Sequence, residues 1–305
     1  MLICKLSDQL GNQMFAYAAI KSIAKDKGYD FYVHDEYDNQ FLKNDTDKRL
    51  GCNLTTIFEN VRKEVIHDIP TGFNEFQEIT TTKSPSSFQK EALQVEDNTV
   101  MKGHYISPLY FEHRLNEVQE WFKFPELIEK ETLNILNNLR KKYTPDTLFC
   151  SVHFRNALDY RVKGYMLSKH YWEKAAKELL KQNKGKNIVF ILFYDKMSKL
   201  IKKFSQQYRC EIIHNSLIND FDLISKCDFH IVCNSSFSVM AALMDRKSNS
   251  NTYCPSIWPV GRGYFPVDAY PYKWVKVSTK RNFYSYLLGY IAPYLSPLKH
   301  IIRKS

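Results

Sequence analysis

From Leu148 onward the chain repeats one pattern, a short apolar run followed by an amphipathic stretch at helical spacing. Leu148 to Phe154 and Asn187 to Tyr194 are the strongest runs, with shorter ones at 210–213 and 229–233. Helical spacing fills 170–182, 196–207, 220–226 and 236–244 between and after them. Strands apolar on both faces, alternating with helices, build parallel sheets covered on both sides. The N-terminus opens in the same way. Residues 2–6 read as a buried strand. Met14, Phe15, Ala18, Ile20, Ile23 and Ala24 then recur at helical spacing up to Gly28, and Phe31-Tyr32-Val33 reads as a second strand.

Between these units the pattern is weaker. Residues 35–100 are polar and give no assignment. Residues 100–124 read as a strand and then a helix carrying Phe111, Leu115, Val118 and Phe122, and a long amphipathic helix fits 125–142. Thr144-Pro145-Asp146 breaks it. The expected organisation is α/β in two Rossmann-type halves, 1–147 and 148–279, with a tail at 280–305. In such sheets ligands bind outside the carboxyl ends of the strands, so chemistry is expected in the loops that follow them.

Charge points to an anionic partner. The chain of 305 residues has a formal net charge of +10, which favours phosphorylated small molecules, anionic lipid or nucleic acid. Lys280, Arg281, Lys299, Arg303 and Lys304 put five of those charges in the tail without an acid. Leu287, Leu288, Tyr290, Ile291, Tyr294, Leu295 and Leu298 interleave with them. The tail thus reads either as an interfacial segment on an anionic membrane or as a closing helix packed on the protein. No nucleic-acid motif accompanies the charge, so no nucleic-acid partner is expected. The seven cysteines contain no C-x-x-C pair, and no apolar stretch reaches spanning length. A reduced, cytoplasmic protein follows, peripheral at most on the inner face of a membrane.

Four loops carry candidate chemistry. Leu10-Gly11-Asn12-Gln13 opens the first helix, where glycine permits close backbone approach and the helix N-terminus attracts anions. His153-Phe154-Arg155 ends a strand, and arginine suits bidentate phosphate contact. Asp195 also ends a strand, as an acceptor for a base or sugar or as the N-cap of the next helix. Asn234-Ser235-Ser236-Phe237-Ser238 joins a strand to a helix, as a phosphate-binding turn, an N-cap or both. Asp45-Thr46-Asp47 and Asp220-Phe221-Asp222 match D-x-D, but neither follows a strand cleanly, and no metal site is expected. No P-loop and no G-x-S-x-G elbow is present, while a Ser/His/Asp triad stays open.

Taken in order, these segments resemble the α-1,2-fucosyltransferases of glycosyltransferase family 11, with this chain as a divergent member. Gly11-Asn12-Gln13-Met14-Phe15 with Tyr17-Ala18 is similar to the family's G-N-Q-M-F-x-Y-A opening. Gly103-His104-Tyr105, Ser107 and Tyr110-Phe111 are similar to G-Y-x-Q-S-x-x-Y-F. His153-x-Arg155 resembles H-x-R, Tyr171-Trp172-x-Lys174-Ala175 resembles Y-Y-x-K-A, and Phe193-x-Asp195 resembles F-S-D-D. Leu223-Ile224-Ser225-x-Cys227, Ile231-x-x-Asn234-Ser235-Ser236-Phe237-Ser238, Pro255-x-x-Trp258 and Pro271-x-x-Trp274 complete the match.

The resemblance implies a GT-B-like fold of two domains facing a cleft. It implies inverting, metal-independent transfer of fucose from GDP-fucose to a hydroxyl, such as the 2-OH of a β-galactoside in a surface glycan. The partners would be the nucleotide sugar and an oligosaccharide or lipid-linked glycan acceptor, with no cofactor. Arg155 would offset the charge of departing GDP, with His153 and Asp195 by the guanine and ribose. Asn234, Ser235, Ser236 and Phe237 would line the diphosphate turn. Gly11, Asn12 and Gln13 would face the cleft from the acceptor side. Arg155, Asn12 and Asp159 are the catalytic candidates, with Asp8 and Asp159 open as general base. Asp8-Gln9 stands where the family has Gly-Gly, Asn156 where it has a second arginine, and Lys196 where it has the second aspartate of F-S-D-D. A different nucleotide-sugar donor, or a non-catalytic glycan-binding role, therefore stays open.

Overall fold

The computed structural model describes residues 1–34, 53–79, 87–157, 160, 165–247, 251–258 and 268–279. The tail at 280–305, Asp159, and Asp45 with Asp47 lie outside them.

Two parallel sheets organise the molecule. The first holds β1 (Leu2–Lys5), β2 (Phe31–His34), β3 (Val65–Ile66), β4 (Asn74–Gln77) and β5 (Thr99–Lys102) in the order β3-β2-β1-β5-β4. The second holds β6 (Leu148–Phe154), β7 (Ile188–Tyr194), β8 (Cys210–Ile212), β9 (Phe229–Ile231), β10 (Thr252–Pro255) and β11 (Val275–Val277) in the order β11-β10-β9-β6-β7-β8. In each sheet the first strand is interior and the order runs away from it in both directions. β1 and β6 are therefore the switch points, and their carboxyl ends are where crevices open.

Helix α1 (Leu10–Lys27) follows β1 and is buried nearly all round, because it is covered by both halves. It ends at Gly28, whose left-handed φ of 68° lets its N–H reach the carbonyls of Ala24 and Lys25. Two one-turn helices, α2 (Leu54–Ile57) and α3 (Glu59–Arg62), precede β3. α4 (Leu115–Trp121) and α5 (Glu126–Arg140) lead out of the first half. The second half adds α6 (Lys169–Gln182), α7 (Lys199–Gln207), α8 (Leu217–Lys226) and α9 (Ser236–Leu243). α1 packs against α9 and α5 against α8, so one apolar cluster runs from Leu2 and Phe15 to Phe149, Phe221 and Val239.

The elements differ from the sequence reading in instructive places. α7 starts at Lys199 rather than at 196, because the Ser198 hydroxyl accepts the Ile201 N–H at 3.4 Å. α8 starts at Leu217 rather than at 220, capped by Ser216 on the Asn219 N–H at 3.2 Å. The helix expected within 100–124 is only α4, since Pro108 and Phe111 belong to short 3-10 turns. β3, β4, β10 and β11 were not foreseen.

Among the described residues, one Ser/His/Asp constellation is assembled. His230 on β9 meets the Ser151 hydroxyl on β6 through Nδ1 at 2.8 Å and the Asp245 carboxylate through Nε2 at 3.0 Å. Ser151, His230 and the Asp245 side chain are all buried, so this triad is a strut between strands and not a nucleophile. Lys247 closes it, with its backbone N–H and its ammonium both 2.9 Å from Asp245 Oδ1. Asp245→Ala is expected to lower stability by about 2–3 kcal/mol, the cost of orphaning buried polar groups, read from urea denaturation at constant slope. A loss under about 0.5 kcal/mol, the scale of an ordinary surface change, would show that the strut carries little.

Candidate functional site

The carboxyl ends of β1 and β6 open into one cleft of about 830 Å³, counting space continuous with solvent. From the first half, Gln9, Leu10 and Gly11 line it. From the second come His153 at the end of β6 and Arg155 after it, Phe193 and Tyr194 at the end of β7 and Asp195 after it, Leu217 and Asp220 on α8, and Ser235, Ser236 and Phe237 at the start of α9.

The halves touch where the cleft closes. A Cβ on Gly11 would lie 2.3 Å from the Phe237 nitrogen and 2.5 Å from the Ser236 carbonyl carbon, so only glycine fits. One residue on, the Ser236 hydroxyl donates to Asn12 Oδ1 at 2.5 Å. The N-terminus of α9, with Ser235 as N-cap, faces the cleft, and its partial positive charge favours an anion there.

Arg155 is held in place rather than left loose at a strand end. Its Nη1 donates to Asp195 Oδ2 at 3.0 Å, and its guanidinium lies 5.2 Å from the centre of the Tyr160 ring. Asp195 also accepts the backbone N–H groups of Asn156 at 2.7 Å and Ala157 at 2.9 Å. The carboxylate thus caps the turn after β6 and fixes its arginine. It does not cap α7, whose N-cap is Ser198, which corrects one sequence reading.

His153 forms a wall with Phe237, their ring centres 5.2 Å apart. Phe221 and Phe124 continue that aromatic contact towards α5 at 5.2 and 5.8 Å. Cys233 Sγ approaches His153 Nδ1 at 3.5 Å, but burial pushes its thiol up to about 12, with Ser238 opposing weakly, so it remains protonated. All six described cysteines are free thiols.

The structure therefore gathers Gly11, His153, Arg155, Asp195, Ser235, Ser236 and Phe237 around one cleft. Asn12, Gln13 and Asn234 do not line it. The Gln13 amide spans the Asp8 carbonyl at 2.7 Å and the Leu54 N–H at 2.8 Å. Asn234 donates to the Tyr165 carbonyl at 2.9 Å, and its own carbonyl accepts the Tyr160 hydroxyl at 2.6 Å. These two side chains hold loops in shape behind the cleft.

Asp220 was the missed residue. It is buried, accepts the Asn215 N–H at 3.2 Å and side-chain amide at 3.1 Å, and lines the cleft. Sequence reading weighed it only as a metal ligand. Its place one turn into a helix after a parallel strand was the available signal. Among the described residues, no group of three His, Cys, Asp or Glu is arranged to hold a metal, and no helix is long and apolar enough to cross a membrane.

Two parallel-sheet halves with a crevice between their switch points have the architecture of the GT-B fold. The chain belongs to glycosyl transferase family 11, whose family model matches residues 85–277. It is 24% identical over 308 aligned residues to an Escherichia coli α-1,2-colitosyltransferase, covering 91% of this chain and 99% of the relative. It is 23% identical over 295 residues to the E. coli O-antigen biosynthesis glycosyltransferase WbnK, covering 84% and 94%. The fold matches that of the fucosyltransferase NodZ from Bradyrhizobium with a TM-score of 0.53 at 14% identity, over 80% of this chain and 93% of that one. NodZ soaked with GDP-fucose matches with a TM-score of 0.52 at 16% identity, over 80% and 92%.

Proposed function

We propose that the protein transfers fucose, or a sugar closely related to it, from a GDP-linked donor to a hydroxyl of a glycan, with inversion and without a metal. The observation that carries this reading is Arg155, clamped by Asp195 and lining the same cleft as the N-terminus of α9. As the acceptor oxygen bonds to the anomeric carbon, the bond to the β-phosphate breaks and its electron pair leaves with GDP. Arg155 and the α9 N–H groups offset that charge, which is electrostatic leaving-group stabilisation. The Asp220 carboxylate suits guanine, whose N1–H and 2-amino group donate side by side, while uracil offers a single N–H between two carbonyls. Asn12, beside Ser236, is assigned to the acceptor side, and an oligosaccharide or lipid-linked glycan is the acceptor.

A second donor is favoured by one observation, the relative described as an α-1,2-colitosyltransferase. Colitose is fucose without its 3-hydroxyl, and the same cleft chemistry serves both. Thermal shift with GDP, UDP, dTDP and CDP in the presence of EDTA tests the reading, because a ligand bound only by the folded state raises Tm by mass action. GDP alone is expected to raise it. Asp220→Asn is expected to weaken GDP binding by about tenfold, a loss of about 1.4 kcal/mol. A shift with UDP instead would replace the donor. Relative kcat/KM for GDP-fucose and GDP-colitose then separates the two sugars.

A further inference from the structure

Two loops at the carboxyl edge of the first sheet carry backbone strain and a hydrogen-bonded His–Asp pair. Asp8, after β1, has φ 60°, and Tyr105, after β5, has φ 50°. Left-handed conformations at non-glycine residues cost about 1–3 kcal/mol each and persist only where the surroundings hold them. At Tyr105 it is Glu78, buried after β4, that does the holding. Its carboxylate accepts the His104 N–H at 2.6 Å and the Tyr105 N–H at 3.0 Å. Gly103, at φ 149°, lets the turn wrap that close, since a Cβ there would lie 2.4 Å from the Glu78 Cβ. This exit turn brings the His104 ring to Asp8, with Nε2 paired to the Asp8 carboxylate. The His104 and Asp8 side chains are 37% and 39% exposed, while the residues that hold them are buried. Asp8 immediately precedes Gln9, which lines the donor cleft.

We propose that His104, oriented by Asp8, takes the acceptor's proton during glycosyl transfer. This rests on the transfer reaction above. Asp8 holds the proton on Nε2, which leaves Nδ1 with the lone pair. The acceptor oxygen bonds to the anomeric carbon, the bond to the β-phosphate breaks with its electron pair on GDP, and the hydroxyl proton passes to Nδ1. The resulting imidazolium is stabilised by Asp8 and by the charge of Glu78, and releases its proton to water. Asp8 is thereby a positioning residue, in the manner of the aspartate of a catalytic triad.

The groups facing His104 set the pH dependence. Burial pulls its pKa down, but the hydrogen bond and charge of Asp8, with the charge of Glu78, outweigh it and raise it above the ordinary histidine value. A base works when neutral. The rate of transfer therefore rises with pH through a limb placed above the usual histidine pKa of about 6.5.

The experiment compares kcat and its pH profile for wild type, His104→Gln and Asp8→Asn, with GDP-fucose or GDP-colitose as donor, alongside thermal shift with GDP. His104→Gln is expected to lose about 10²–10³ in kcat and its pH limb. Its GDP binding should stay within about twofold of wild type, a change under about 0.5 kcal/mol. Asp8→Asn is expected to lose less and to move the limb to lower pH. Added imidazole should restore part of the activity of His104→Ala. An active wild type matched by His104→Gln in kcat and pH profile overturns the base while leaving the transfer reading intact. A wild type that neither binds GDP nor turns over overturns the transfer reading, and the base falls with it.

Discussion

Arg155→Ala is expected to lose at least about 10²–10³ in kcat, the effect of removing one group that stabilises charge developing in a transition state. The reason lies in its setting. Arg155 is only 16% exposed on its side chain, so its charge is weakly screened by water where the proposed leaving group would gather charge. Asp195, Asn156 and Ala157 fix its position before substrate arrives, so little reorganisation accompanies the reaction. The fold should survive the change. Asp195 keeps both backbone N–H donors when the guanidinium is removed, and Arg155 follows a strand rather than filling a core. Arg155→Lys keeps the charge but loses the planar fork that holds Asp195 and a phosphate oxygen together, so it should recover only part of the rate. Single-turnover rates with saturating donor, beside melting curves with and without GDP, separate chemistry from folding. Near-wild-type turnover in Arg155→Ala would remove the leaving-group role.

What the sequence reveals of this molecule follows from how parallel sheets are built. β6 and β7 are buried on both faces and largely apolar, and such runs announce themselves. β4 reads Asn-Glu-Phe-Gln because it is an exposed edge strand, and its composition is that of a loop. β3, β10 and β11 have two to four residues, too few to show a period. For the same reason helix starts were misplaced where Ser198 and Ser216 cap. A cap is a local hydrogen bond, and competing candidates lie within a few residues.

The site was legible as a set of loops, not as a set of side-chain directions. Gly11, Arg155 and the serine turn follow from the rule that ligands sit at strand carboxyl ends. Gln13 and Asn234 lie in the same motifs yet face inward, because amides with both donor and acceptor are equally good at bracing a loop. Asp195 lay on the line between cap and ligand. It caps the turn of a different strand, which only the pairing of β6 with β7 reveals. The Asp8–His104 pair joins residues 96 apart in sequence, so no spacing rule could find it. The parallel register of β1 with β5 brings their exits together.

Gly11→Ala sets two opposing effects against each other, and their magnitudes decide the outcome. Gly11 is inside α1, where alanine is intrinsically better by about 1 kcal/mol. The added methyl would meet the Phe237 nitrogen, the Ser236 carbon at 2.5 Å and the Phe237 Cα at 2.8 Å. These are backbone atoms at the first turn of α9, so no rotamer change relieves the contact. Overpacking of this kind costs about 1–3 kcal/mol, and rigid partners place it at the upper end. The net expectation is a loss of about 2 kcal/mol, or roughly 3 °C in Tm for a chain of 305 residues. Activity should fall further than stability, because relief requires α1 and α9 to part. That separation moves Ser236 and Phe237 away from Gln9 across the donor cleft and stretches the Asn12–Ser236 hydrogen bond. Gly28→Ala is the matched control. Its φ of 68° makes alanine strained by about 1–2 kcal/mol, yet nothing lies within 4 Å and the donor cleft is at the other end of the helix. It should lower Tm and leave the GDP-induced shift unchanged. If Gly11→Ala instead raises Tm, as helix propensity alone would have it, the two halves yield at little cost where they touch, and the cleft is not held rigid by that contact.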